Sequence, residues 1–288
     1  KKILDFIGNH LGNSTASTLN KSAFEISGFL RRFGIQTFFS FTSEVDKKNP
    51  EVYIGKASQR RVLSLPLSAY MSPLRENTRN LYLKHMAKMF KLMNITESAE
   101  KAEKVLQVEK KLASVNQPSI DLRDPFKSFN IYSMASLKRE MNGLNWDAYM
   151  LAFGTSPERV NVETPRYLSA VSEIMSEFTI AELDAYFKWK TISTLATFMP
   201  KAFRDEEFKF FGKSIKGLSS PASREDTCIK SADESLGFEI GKIFVEKTFP
   251  EGAKRKAKDM IDDIKSVFKT TLESLDWMDT ITKGRALL

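Results

Sequence analysis

A mainly α fold, an irregular multi-helix bundle with one small β-hairpin, follows from three features of the sequence. Apolar residues recur at helical spacing through most of the chain, and Gly or Pro stands where many of those runs stop. Only one short region is rich in aromatic and β-branched residues around a turn. The 288 residues are 42% hydrophobic, enough for one large core or two modest ones.

The first helix expected runs from Ser22 to Phe33, with Phe24, Ile26, Phe29, Leu30 and Phe33 on one face and Gly34 placed to end it. Ile35–Phe41 and Val52–Ile54 are the strand candidates, and Asp46-Lys47-Lys48-Asn49-Pro50 separates them as the turn of a hairpin. After Pro73, a long helix carries Leu81, Met86, Met89, Phe90 and Met93 and ends at Asn94. The next begins near Thr96 and carries Ala102, Val105, Leu106 and Leu112, so the two make a helical hairpin. Shorter helices fit Met134–Met141, Trp146–Phe153 and Arg166–Phe178, and longer ones Ile180–Met199 and Arg224–Phe249. A last helix repeats apolar residues from Ala257 through Met260, Ile261, Ile264, Val267, Phe268 and Leu272 to Leu275. That stripe is expected to be buried against other helices, so Ile264→Asp or Phe268→Asp is expected to destabilise the core.

No internal repeat appears. Breaks are readable at Asn116–Asp124 and at Lys216–Ser223, neither long enough for a free linker. One helical unit is preferred, divisible into sub-bundles of about 1–120 and 121–288. The chain lacks an initiator Met and stops at Leu287-Leu288 within a helical pattern, so it reads as a piece of a longer protein.

Forty-four Lys and Arg against 36 Asp and Glu give a formal charge of +8. The charges are scattered: Lys254-Arg255-Lys256 is followed by Asp259, Asp262 and Asp263, and Arg31-Arg32 and Arg60-Arg61 are isolated pairs. Nucleic-acid binding, which needs a clustered one-sided footprint, is not expected. No apolar run reaches the roughly 20 residues of a membrane span, and no signal peptide is visible.

The residue types that carry chemistry are sparse. His10 and His85 are the only histidines, and neither belongs to an H-E-x-x-H helix able to hold zinc. His85 reads as structural and His10 as solvated. Cys228, the one cysteine, reads as a small buried core residue or as the disulfide partner of a cysteine outside this sequence. Ser14, Ser219 and Ser220 lack a nucleophile elbow, and no phosphate loop occurs. Glu206-Glu207 and Asp262-Asp263 read as solvated helix faces rather than paired acids. Asn13, Asn20 and Asn94 open glycosylation sequons, which arise readily by chance. No catalytic or metal-ligating residue is assigned, and no substrate-binding residue is identified.

Several local patterns, in order, resemble the N-terminal region of the neprilysin and endothelin-converting enzyme family and its bacterial oligopeptidase relatives. Phe38-Phe39-Ser40-Phe41 with Asp46-Lys47-Lys48-Asn49-Pro50 resembles the family's short strand and D-x-K-N turn. Leu63-Ser64-Leu65-Pro66 is similar to its L-G-L-P, with the usual aromatic pair reduced to Tyr70-Met71. Tyr82-Leu83-Lys84-His85-Met86 and Val108-Glu109-Lys110-Lys111-Leu112-Ala113 fall on the expected helices. Arg123-Asp124-Pro125 with Asn130 resembles R-D-P then Y-N, with Phe129 in place of the tyrosine. Trp189-Lys190, Ala202-Phe203-Arg204-Asp205 and Phe210-Phe211-Gly212-Lys213 are similar to its W-R, A-F-x-D and F-Y-G-K series. Gly241–Lys247 with Phe249-Pro250 resembles its long helix, and Leu275-Asp276-Trp277-Met278-Asp279 with Thr282-Lys283 its L-x-W-M, T-K ending.

The resemblance implies a helical lid that caps a thermolysin-like catalytic domain and encloses a cavity for short peptides. It implies zinc in the parent enzyme, with the ligands and the catalytic glutamate beyond Leu288, and a lid that is inactive alone. Its partners would then be the enzyme's own C-terminal catalytic domain and short peptide substrates, in an extracytoplasmic or, alternatively, a cytoplasmic parent. The rival reading is an independent helical interaction domain with no enzymatic parent.

Overall fold

The computed structural model describes residues 1–118 and 120–287; Ser119, in the first segment read as a break, and Leu288, in the terminal helical pattern, lie outside them. The chain divides into two compact units, Lys1–Ser220 and Pro221–Leu288. The division falls within the Gly-, Ser- and Pro-bearing segment 216–223, not near residue 120. Helices from both sides of residue 120 share one core, which is why sub-bundles of about 1–120 and 121–288 do not form.

The first unit begins with α1 (Lys2–Gly12), α2 (Leu19–Arg31), β1 (Ser40–Asp46), β2 (Asn49–Ser58), α3 (Leu67–Met71), α4 (Glu76–Leu92) and α5 (Ser98–Ser114). It continues with β3 (Ile131–Ser133), α6 (Met134–Glu140), α7 (Trp146–Phe153), β4 (Arg159–Val162), α8 (Pro165–Ile174), α9 (Ile180–Leu195) and α10 (Lys201–Glu207), then a π-helical segment, Phe208–Ile215. The architecture is mainly α with a small sheet, the class expected from the sequence.

α1 has no counterpart among the helices expected from the sequence, and Gly8, Asn9 and Gly12 give it weak local propensity. Ile7 and Leu11, one helical turn apart, are both buried, and packing of that face outweighs the weak local propensity. The strand expected over Ile35–Phe41 starts only at Ser40. Ile35, Phe38 and Phe39 are buried without strand partners. Two carbonyls of this stretch are satisfied by side chains instead: Tyr186 donates its hydroxyl to the Thr37 carbonyl at 2.8 Å and Tyr167 to the Phe38 carbonyl at 2.7 Å.

β1 and β2 form the expected antiparallel hairpin. Its turn is held by Asp46, which accepts from the Lys48 amide at 2.9 Å and from Arg159 at 2.5 Å. The Lys48 amide, opposed by burial and aided by Arg159, keeps that carboxyl below the ordinary Asp value. The hairpin extends to a four-stranded sheet of order β1-β2-β4-β3, in which β2 and β4 pair parallel and β3 and β4 antiparallel. β3 and β4 are too short to show alternation, so the sequence conceals them.

The α4/α5 hairpin forms as expected, and α5 packs on α9. α9 opens with a capping box in which the Glu182 amide donates to Thr179 Oγ1 at 3.2 Å and the Thr179 amide to Glu182 Oε2 at 2.8 Å. α10 and the π-helical segment were not read as helix. Gly212 permits the wider turn, since a Cβ there would lie 2.3 Å from the Phe208 ring.

α2 crosses α7 at Gly28, where a Cβ would stand 2.2 Å from the Tyr149 carbonyl oxygen and 3.0 Å from Ala152 Cβ. Gly28→Ala is therefore expected to destabilise by about 1–3 kcal/mol, the cost of overpacking, rather than to gain the roughly 1 kcal/mol of helix propensity. The obstacle is backbone, which cannot turn aside. Urea unfolding midpoints of the two proteins check this.

The second unit holds α11 (Arg224–Thr248), α12 (Glu251–Ser274) and α13 (Thr280–Leu287). α11 bends at Leu236, whose φ of −129° and ψ of 26° are not helical. α12 contradicts the expected burial of its stripe: Met260, Ile261, Ile264, Val267 and Phe268 are exposed, and only Leu272 is buried. Aspartate at Ile264 or Phe268 therefore creates no buried charge in this chain, and the core destabilisation expected from those substitutions has no basis here. No described helix is long and apolar enough to cross a membrane.

Candidate functional site

The residues singled out by chemistry do not gather into one centre. Cys228 lies exposed on α11, so it is not the buried core residue that a helical cysteine suggests. Asp262 and Asp263 are exposed on α12, as expected. His10 is not simply solvated: its Nε2 stands 2.8 Å from Glu25 Oε2. Asn20 donates its side-chain amide to the Gly143 carbonyl at 2.8 Å, which ties it into the fold.

A buried carboxylate organises the first unit instead. Glu109 on α5 is 0% exposed and accepts from Ser64 Oγ at 2.6 Å and from the Tyr70 and Tyr82 hydroxyls at 2.9 Å each. Trp189 donates its indole N–H to the Tyr82 oxygen at 2.7 Å, and the Leu65 amide donates to the Tyr70 oxygen at 3.0 Å. Lys190, also buried, gives its ammonium to the Val62 carbonyl at 2.8 Å. Burial pushes the Glu109 carboxyl up, against Lys190 and the three hydroxyls, and pushes Lys190 down, against Glu109. Burial also holds Tyr70 and Tyr82 well above the ordinary tyrosine value, so both keep the protons they donate. Ser64, Tyr82, Glu109, Trp189 and Lys190 all fall in the patterns that carry the family resemblance. Those patterns carry a network of buried hydrogen bonds. The sequence signal for Glu109 was its phase, since it falls among Val105, Leu106, Val108 and Leu112 on the apolar side of α5.

Glu206 and Glu207 correct the expectation of solvation. Glu206 Oε1 lies 3.1 Å from His85 Nδ1, and Glu207 Oε2 lies 3.6 Å from His85 Nε2. His85 is buried, 1% exposed. The two carboxylates flank opposite ring nitrogens and do not converge. No group of three His, Cys, Asp or Glu among the described residues is arranged to hold a metal ion, so the residues present do not fit a zinc site.

What remains is a surface. On α12, Met260, Ile261, Ile264, Val267 and Phe268 recur at three- and four-residue steps along one side, with Ile264 and Phe268 each 62% exposed. α11 buries none of its residues and exposes Ile229, Phe238, Ile243 and Phe244. Faces of this length are uncommon on a finished monomer and are characteristic of contact with further polypeptide.

The helices and mixed sheet of the first unit, followed by a three-helix unit, match solved structures in fold, a zinc metalloprotease among them. The chain is similar over 98% of its length to Mycobacterium tuberculosis zinc metalloprotease ZMP1 in complex with inhibitor, with a TM-score of 0.84 and 24% identity, and covers 43% of that chain. It is similar over 99% of its length to PEPO from Lactobacillus rhamnosis, with a TM-score of 0.80 and 18% identity, and covers 45% of that chain. Among curated proteins, it is 28% identical over 273 residues to Neprilysin-3 of Drosophila melanogaster, covering 89% of this chain and 34% of the relative. It is 25% identical over 276 residues to Endothelin-converting enzyme-like 1 of Mus musculus, covering 93% of this chain and 35% of the relative. The model of the N-terminal region of peptidase family M13 matches residues 1–288, and the chain belongs to that family. It spans about a third of the length of these curated relatives, 34% and 35%.

Proposed function

We propose that this chain is the non-catalytic lid of a zinc metalloendopeptidase that hydrolyses short peptides. In this reading its helices wall a cavity and restrict substrates by size, while the enzyme's own C-terminal catalytic domain holds the zinc and covers apolar surface of α11 and α12. The observation that carries the reading is the uncovered stripe of α12, in a chain that spans 34% of a relative and whose described residues offer no metal site. Membership of a metallopeptidase family supports the reaction class. The lid's contribution is exclusion of folded protein and of water, which strengthens electrostatic interactions in the enclosed space.

The test compares the full-length protein with residues 1–288 on a series of peptides of increasing length. The full-length protein is expected to cleave short peptides, to slow as the substrate lengthens, and to stop when zinc is chelated. Residues 1–288 are expected to cleave none. Zinc-dependent hydrolysis by the purified 288-residue chain, or a full-length protein indifferent to peptide length, overturns the reading.

A further inference from the structure

We propose that His85, Glu206 and Glu207 form a proton-dependent clamp that fixes the segment 206–215 to α4 and releases it when the imidazole loses its proton. His85 is 1% exposed, with Glu206 Oε1 3.1 Å from Nδ1 and Glu207 Oε2 3.6 Å from Nε2. Ionised carboxylates only accept hydrogen bonds, and a neutral imidazole has a single N–H to give. A neutral ring therefore turns a lone pair toward one of the two carboxylates. An imidazolium donates on both sides and satisfies both.

The surroundings make that difference matter. The ring stacks on Phe210 of the π-helical segment, centroids 4.8 Å apart and 15° between planes, and meets Trp189 of α9 edge-on at 5.6 Å. Water is largely excluded, so an unsatisfied polar contact is not easily replaced by solvent. His85 Nε2 and Glu207 Oε2 are both buried without a hydrogen-bond partner, and a small approach closes the gap between them. Both carboxylates come from the end of α10, where the π-helical segment starts, so the contact anchors that segment directly. In sequence the segment leads to the boundary between the two units at Ser220 and Pro221.

The lysines of α4 and of the π-helical segment nearest the ring in sequence, Lys84, Lys88, Lys209 and Lys213, are exposed, and the buried ionisable groups of the neighbouring elements are engaged elsewhere. Tyr82 of α4, Tyr70 of α3 and Glu109 of α5 are bound to one another, and Lys190 of α9 is bound to the Val62 carbonyl. Trp189, Phe210 and Phe211 are uncharged. Glu206 and Glu207 are thus the charges that act on the ring. Burial by itself pushes His85 down, but these two carboxylates together hold it above the ordinary histidine value. With its folded-state pKa raised, the clamp contributes fully below the unfolded histidine value and is lost as pH rises through the raised one.

The experiment is amide hydrogen exchange on the full-length protein across neutral and mildly alkaline pH, expressed as protection factors so that the intrinsic pH dependence cancels. Peptides covering 206–215 are expected to lose protection severalfold as pH rises, while those covering α7 hold theirs. Glu207→Gln, which preserves size, and His85→Gln should each remove the pH dependence. The His85 ring titration, followed by NMR, should move down in Glu207→Gln. Protection of 206–215 that is flat with pH in the unsubstituted protein, or the same pH dependence in Glu207→Gln, overturns the proposal. If His85→Gln does not fold, Glu207→Gln and the ring titration decide it.

Discussion

Glu109→Ala is expected to destabilise the first unit by about 3–5 kcal/mol, the range seen when one member of a buried charged network is removed. Three hydroxyl donors, from Ser64, Tyr70 and Tyr82, lose their acceptor at once, in a place from which water is excluded. Lys190 also loses the charge opposite it, and buried ammonium groups are costly without one. The damage spreads because the carboxylate joins the loop at Ser64, α3, α4 and α5, and reaches α9 through Tyr82 and Trp189. Glu109→Gln keeps the volume and one acceptor oxygen, so its effect should be the smaller of the two. Denaturant unfolding followed by tryptophan fluorescence measures both, since Trp189 sits at the edge of the network. An alanine variant within 1 kcal/mol of the parent, on the scale of about 1 kcal/mol for an ordinary hydrogen bond, would show that the network is not a keystone.

Phe38→Ala should come close behind, at about 3–5 kcal/mol, as expected when a fully buried aromatic leaves a cavity. Phe38 is 0% exposed and lies within 6.1 Å, centroid to centroid, of Phe24, Phe178, Tyr186 and Phe187. Its ring is held by α2, α9 and the turn before α9, and its carbonyl by Tyr167 of α8. Phe38→Leu, which retains much of the volume, should recover part of the loss. Equilibrium unfolding of the three proteins in urea reads the order. The opposite order, with leucine worse than alanine, would mean that ring shape and not filled space is the requirement.

These two residues also show how far the sequence could be read. Phe38 is legible as an apolar residue, and it is buried. Its assignment to a strand is not correct, because a strand needs a partner and here two tyrosine hydroxyls from α8 and α9 supply the hydrogen bonds. Those tyrosines lie 129 and 149 residues away in the chain, and no local pattern announces them. The long helices were legible because periodicity is a property of adjacent turns. Glu206 and Glu207 were misjudged for the same reason in reverse: adjacent acids usually face water, and the buried imidazole that claims Glu206 is 121 residues distant.

The sequence by itself determined that this chain is mainly helical, that it carries the ordered patterns of one peptidase family, and that α12 has an apolar face. Each is a matter of local spacing or residue identity. Only the tertiary structure decided that one buried carboxylate ties together patterns scattered from Ser64 to Lys190, that His85 lies between two acids, and that α12 keeps its face exposed. Periodicity fixes which side of a helix is apolar, because that follows from the 3.6-residue turn. It does not fix whether anything lies against that side, because burial belongs to a pair of surfaces and the helix's own sequence specifies only one of them.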